Sequence, residues 1–188
     1  MTAHSSNRWA PVAPLGPIAW VSPTTVTAPA PVLSWLTEPG SLTRRLRGEP
    51  GLLTLVCLQQ GSVLEEDIWQ RQVLLLKAGR PWVWALTQAP AATLQQHPEL
   101  ARQGERPLGD WLFGEGGGRR RQLQWADLAG EPALVQALQT WRLAPPTRLW
   151  ARHSRFELSA GHCTITELFL PDSPLYAGSV DEVSVCKR

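Results

Sequence analysis

The stretch Arg148-Leu-Trp-Ala-Arg-His-Ser-Arg-Phe-Glu-Leu158, linked by Ser159-Ala160-Gly161 to His162-Cys-Thr-Ile-Thr-Glu-Leu-Phe-Leu170, decides the fold class. Two strand-like arms are joined by a short turn containing glycine, and Pro171 ends the second arm. That is a hairpin, and hairpins pair their strands antiparallel. Upstream, Ile68 to Lys77 and Pro81 to Thr87 flank Ala78-Gly79-Arg80 and form a second one. Leu52 to Leu58 is a short apolar run bounded by turn residues, and Arg119 to Trp125 reads as a further strand, which makes about six.

Short helical stretches fall between the strand pairs instead of after every strand. They are Pro31 to Leu36, Leu42 to Arg47 behind a capping Ser41, Ala91 to Arg102 broken at Pro98, Pro107 to Phe113, and Leu134 to Trp141. The pattern predicts an α+β fold: a single antiparallel sheet of about six strands with short helices packed on one face. Residues 1–31, rich in Pro, Ala, Ser and Thr, read as a flexible lead-in; residues 32–176 carry the domain, and 177–188 read as a C-terminal tail.

Composition narrows the function. Of 188 residues, 43% are hydrophobic, enough for a sizeable core, and the ten Trp read as core filling. A formal charge of +2 is too small for a nucleic-acid binder acting through electrostatics, though it leaves room for a small anionic ligand. No stretch approaches the ~20 apolar residues of a membrane span. Cys57, Cys163 and Cys186 lack zinc or disulfide spacing, and His4, His97, His153 and His162 form no metal motif. A soluble, cytoplasmic protein without a metal or other cofactor is expected, as a monomer.

Two charges stand out against the strand period. Trp69, Arg71, Val73 and Leu75 share one face of their strand, and Cys163, Ile165, Glu167 and Phe169 share one face of theirs. Arg71 and Glu167 thus point where apolar neighbours point. Buried charges need partners, so the pair reads either as a polar site inside a pocket or as a structural ion pair. Arg119-Arg120-Arg121 reads as a solvated basic run, and Gly114 to Gly118 lacks the spacing of a phosphate loop.

Several of these segments resemble one family. Leu149-Trp-Ala-Arg-His-Ser-Arg155, Thr166-Glu-Leu-Phe-Leu-Pro171 and Ser173-Pro-Leu-Tyr176 resemble the C-terminal signature of bacterial chorismate pyruvate-lyases. Pro107-Leu-Gly109 with Leu112-Phe113, the hairpin from Trp69-Gln-Arg71 to Gly79-Arg-Pro-Trp82, and Ser41-Leu-Thr-Arg-Arg45 resemble further family elements, in the same order. The resemblance implies a lyase that converts chorismate to 4-hydroxybenzoate and pyruvate on the way to a quinone head group. It also implies an internal, flap-covered pocket that holds the product tightly.

By the same resemblance Arg71 binds a substrate carboxylate, and Glu167 meets the ring hydroxyl as acceptor or as the base that takes the ring proton. Leu42 and Leu108 contribute backbone contacts. Leu86 stands where the family usually has Arg, which suggests one cation fewer for the ligand, and His153 replaces a common Arg beside a retained Arg152. The alternative is a non-catalytic module that binds an aromatic carboxylate, as in the effector domains of GntR-type regulators, although the Pro-rich residues 1–31 are not expected to form a winged helix. A degenerate lyase that keeps only ligand binding is a third reading.

Overall fold

Leu74, Leu75 and Leu76 follow one another along a strand, so both faces of the sheet are apolar there and both must be covered. In the computed structural model, which describes residues 9–22, 28–63 and 66–177, they lie on β2 (Ile68–Lys77), between β1 (Leu53–Val63) and β3 (Arg80–Pro90). With β4 (Arg119–Asp127), β5 (Trp150–Glu157) and β6 (His162–Phe169) these form a six-stranded antiparallel sheet in the order β1-β2-β3-β6-β5-β4. The C-terminal hairpin docks β6 against β3, and one row of residues, Cys57, Val73, Ala85, Glu167, Arg152 and Trp125, crosses all six strands on the same face.

That face carries α1 (Ala30–Leu36), α2 (Leu42–Gly48) and α4 (Leu108–Leu112). Val32, Trp35, Leu36, Leu42 and Leu46 pack there on Leu55, Val73, Leu75, Val83, Ala85 and Phe169. Ser41 caps α2 by accepting a hydrogen bond from the Arg44 N–H at 3.3 Å. At the other end of α2, the fully buried Lys77 donates to the Leu46 carbonyl at 2.7 Å, which satisfies both the ammonium and a helix-terminal acceptor. The short helix α3 (Ala91–Gln96) continues from β3, followed by a 3₁₀ turn at Pro98–Leu100.

The expectation that all the helices pack on one face is corrected by α5 (Pro132–Thr140), which covers the other one. Leu134, Ala137, Leu138 and Trp141 pack on Leu74, Leu76, Trp84, Leu168 and Leu170. The cause is the second apolar set of positions on β2, β3 and β6, which a helix must shield from water.

The reading of residues 1–31 as a flexible lead-in is corrected for residues 9–22, which lie on this second face. Trp9 and Val12 are buried in its core. Gln72 holds Val12 as a backbone would: its amide N–H donates to the Val12 carbonyl at 2.9 Å and its oxygen accepts from the Val12 N–H at 2.8 Å. Further along, Val21 bridges Trp125 through two backbone hydrogen bonds of 2.9 and 3.0 Å. Proline-rich composition hid this because an extended segment bound through its backbone shows no periodicity. Of the tail read at 177–188, all but Ala177 lies outside the described residues.

Tyr176 lies in the 3₁₀ turn Pro174–Tyr176, after β6. Its hydroxyl accepts from the Trp150 N–H at 3.0 Å and donates to the Phe169 carbonyl at 3.1 Å, and burial raises its pKa well above that of a free phenol. Seven of the ten Trp are buried, so the expectation of core filling is met.

Candidate active site

Between the sheet and the α2–α4 pair lies a cavity. Its floor is made by Leu55, Arg71, Val73, Leu75, Ala85, Thr87, Arg120, Arg152, Phe156, Ile165 and Glu167, and its roof by Leu42, Thr43, Pro107 to Gly109, Leu112 and Phe113. All four residues proposed from the sequence, Arg71, Glu167, Leu42 and Leu108, therefore line one space.

The roof is held close by its glycine. A β-carbon at Gly109 would come within 2.7 Å of the Ser41 hydroxyl oxygen and 3.3 Å of that of Thr43. Any side chain there would push α4 off the start of α2, which explains the Pro-Leu-Gly element: Pro107 precedes the helix, Leu108 faces the cavity and Gly109 permits the approach. Arg47 and Asp110 tie the same two helices through a two-pronged ion pair of 2.7 and 2.6 Å.

Arg71 enters from β2 and is 1% exposed. One terminal nitrogen, Nη2, donates to the carbonyls of Gly104 (2.6 Å) and Arg106 (3.0 Å), in the loop that leads to α4. Its Nε is buried with no partner. Burial lowers the guanidinium's pKa, which nonetheless starts so high that the group stays charged. A buried cation with a free donor is a site waiting for an anion.

Glu167 enters from β6 and is paired in the strand register with Arg152 of β5. The Arg152 Nε donates to Glu167 Oε2 at 2.5 Å. Nη1 of Arg152 reaches the carbonyls of Trp35 and Glu38 at 3.4 Å, whereas Nη2 is buried without a partner. Among the described residues nothing donates to Glu167 Oε1. The structural ion pair that the sequence left open therefore exists, but Glu167 makes it with Arg152 and not with Arg71.

Arg120 corrects the reading of the triple-arginine run. Arg119 and Arg121 are exposed, the latter paired with Glu157 at 2.6 Å, but Arg120 lines the cavity. Strand alternation counted back from Trp125 and Leu123 would turn Arg121 inward. The register shifts between Arg120 and Gln122, so Arg121 is a bulged extra residue and Arg120 shares the inward face of its partner Phe156. A bulge leaves no trace in composition, so the sequence offered no signal for it.

Leu86 is also corrected. It pairs with Gln72 and Thr166 on the opposite face of β3 and packs against the second core, so its side chain does not line this cavity. His153, likewise on the other face, stacks on Trp20 with ring centres 5.0 Å apart and shares a 3.0 Å hydrogen bond with Thr166. Cys163 is buried and its thiol is pushed up to about 12 by that burial, so it is no nucleophile at neutral pH. Among the described residues no group of three or more His, Cys, Asp or Glu is placed to hold a metal ion, and no helix is long and apolar enough to cross a membrane.

Three guanidiniums and one carboxylate thus face a cavity lined otherwise by apolar residues and the two threonines Thr43 and Thr87, a net charge of +2. The shape and charge of this cavity suit a small organic anion. The family model for chorismate lyase matches residues 15–180, and the chain belongs to that family. It is similar to the chorismate pyruvate-lyase of Serratia proteamaculans, at 33% identity over 87% of this chain and 91% of the relative. That of Sodalis glossinidius is 34% identical over 90% of this chain and 94% of the relative. Among solved structures, the effector domain of PhnF from Mycobacterium smegmatis has a TM-score of 0.50 at 12% identity, covering 71% of this chain and 90% of that one, a likeness of fold alone.

Proposed function

We propose that the chain is a chorismate pyruvate-lyase, releasing 4-hydroxybenzoate and pyruvate. The single observation that carries this reading, beside family membership, is that Arg71 and Glu167 line one buried cavity whose net charge of +2 matches a dianionic substrate. Chorismate has a ring carboxylate, a hydroxyl opposite it, and an enolpyruvyl ether next to the hydroxyl. In the reaction the ring carbon–oxygen bond breaks and its electron pair leaves with the oxygen of the pyruvate enol. The neighbouring ring carbon, which bears the hydroxyl, gives up its hydrogen as a proton, and the electron pair of that bond becomes the ring double bond. The ring is then aromatic, and the proton ends on the methylene of pyruvate.

Aromatisation supplies the driving force, so the residues need only bind, orient and exclude water. The Arg71 Nε takes the ring carboxylate. Glu167, fixed at Oε2 by Arg152, offers Oε1 to the ring hydroxyl or to the departing proton. Leu42 and Leu108 close the roof over the ring and supply backbone contacts. In this reading the enzyme is metal-independent, cytoplasmic and monomeric, residues 32–176 together with the docked segment 9–22 form the catalytic domain, and the product feeds quinone synthesis. No nucleic acid takes part.

The test is direct. Purified protein incubated with chorismate should form 4-hydroxybenzoate and pyruvate in equal amounts, before and after exhaustive chelation. Tight binding of 4-hydroxybenzoate with no turnover would instead indicate a binding module.

A further inference from the structure

Arg71 and Glu167 account for the ring carboxylate and the hydroxyl, but not for the carboxylate on the enolpyruvyl ether. We propose that Arg120, together with Nη2 of Arg152, forms the subsite for that second carboxylate and thereby sets the preference for a dicarboxylate. This assignment rests on the lyase reading above.

The β4 bulge turns Arg120 alone of its run into the cavity. Its guanidinium is already immobilised: Nη1 donates to the carbonyls of Glu38 (2.9 Å) and Pro39 (3.0 Å), and Nη2 to that of Gly40 (3.2 Å). It lies 5.3 Å from the ring centre of Phe113 and 5.1 Å from that of Phe156. Its Nε is buried with no partner, as is Nη2 of Arg152 on the adjacent strand. The two side chains share an anchor, since Nη1 of Arg152 also reaches the Glu38 carbonyl, at 3.4 Å. Two buried orphan donors on neighbouring guanidiniums are costly unless an acceptor arrives, and a carboxylate has two oxygens to offer.

The order across the sheet fits the substrate. Arg71 lies on β2, Glu167 on β6, Arg152 on β5 and Arg120 on β4. Read in that direction, the cavity presents a cation, a carboxylate and then two cations. Chorismate read the same way presents its ring carboxylate, the hydroxyl opposite, and the ether carboxylate beside the hydroxyl. Cleavage removes the second carboxylate with pyruvate, so 4-hydroxybenzoate leaves Arg120 untouched.

The decisive measurement compares two ligands on the full chain. Calorimetry would give affinities for 4-hydroxybenzoate and for the unreactive dicarboxylate 3-(carboxymethoxy)-4-hydroxybenzoate, in the unmodified protein, Arg120→Met and Arg120→Lys. The dicarboxylate should weaken by ~10-fold or more in Arg120→Met, as expected for the loss of a charge-assisted contact, while 4-hydroxybenzoate changes by less than about 3-fold. Arg120→Lys keeps the charge without the planar fork and should recover part of the loss, which guards against poor folding of the Met variant. Equal weakening of both ligands would make Arg120 a tether for residues 38–40 only, and no weakening of either would also overturn the proposal. If the unmodified protein fails to turn over chorismate yet the discrimination holds, the lyase reading falls and the subsite stands. Turnover without discrimination sinks the subsite and spares the reading.

Discussion

Arg152 and Glu167 oppose each other directly across the β5–β6 pair, and the fully buried guanidinium donates through Nε to the carboxylate at 2.5 Å. The proposed catalytic carboxylate is therefore positioned by a neighbour on its own sheet, while Arg71, the proposed carboxylate binder, lines the same cavity from β2.

Glu167→Gln removes the charge that balances Arg152. Leaving that guanidinium buried and unpaired should cost on the order of 3–5 kcal/mol of stability in the free protein. Turnover should fall by ~100-fold or more, with product affinity affected less. Thermal melts, steady-state rates and calorimetry on one preparation check all three; near-normal turnover would remove Glu167 from the reaction.

Arg71→Ala should weaken 4-hydroxybenzoate binding by roughly 2–5 kcal/mol. The same change frees the Gly104 and Arg106 carbonyls, so amide exchange in residues 103–106 should quicken as well. Unchanged affinity would place the ring carboxylate elsewhere.

Leu86→Arg should leave 4-hydroxybenzoate affinity within about 2-fold, because the new guanidinium would lie on the far face of β3 among Gln72, Trp20 and His153. A large gain in affinity would mean that this face communicates with the cavity.

These outcomes show how much was legible beforehand. Alternation alone placed Arg71 and Glu167 inward correctly, since β2 and β6 keep their period of two through the relevant stretch. It failed at Arg120, where one bulged residue inverts the faces, and it failed to assign Glu167 its partner, because alternation fixes the face of a residue and not the register across the hairpin that sets Arg152 opposite it. Residues 9–22 were missed for a different reason: the signal for their docking is a single glutamine, Gln72, sixty positions from the backbone it binds.

Deleting residues 1–22 should lower stability by on the order of 3–5 kcal/mol, from the lost burial of Trp9 and Val12 and from the stranded amide of Gln72. Denaturant melts of the full and shortened chains measure it. An unchanged midpoint would show that this segment contributes no net stability.

His153 supplies a pH test. Burial lowers its pKa below the ordinary value, so in mildly acidic solution the unfolded chain takes up the proton before the folded one. Stability is then present above the unfolded pKa of about 6.5 and is lost as pH falls below it. Between about pH 7.5 and pH 5.5 the melting temperature should drop more in the unmodified protein than in His153→Gln. Parallel curves would exclude His153; His162, whose pKa is lowered too, is present in both proteins and cancels.

The bulge at Arg121 has a genetic consequence. Because the bulge absorbs one extra residue, deletion of this one codon would restore strict alternation and leave Arg120 opposite Phe156, still facing inward. The chain would lose the exposed cation that pairs with Glu157 and keep the interior one. A one-residue gap at this point is therefore compatible with the same interior guanidinium, and among three identical arginines only the register tells which of them is the inward one.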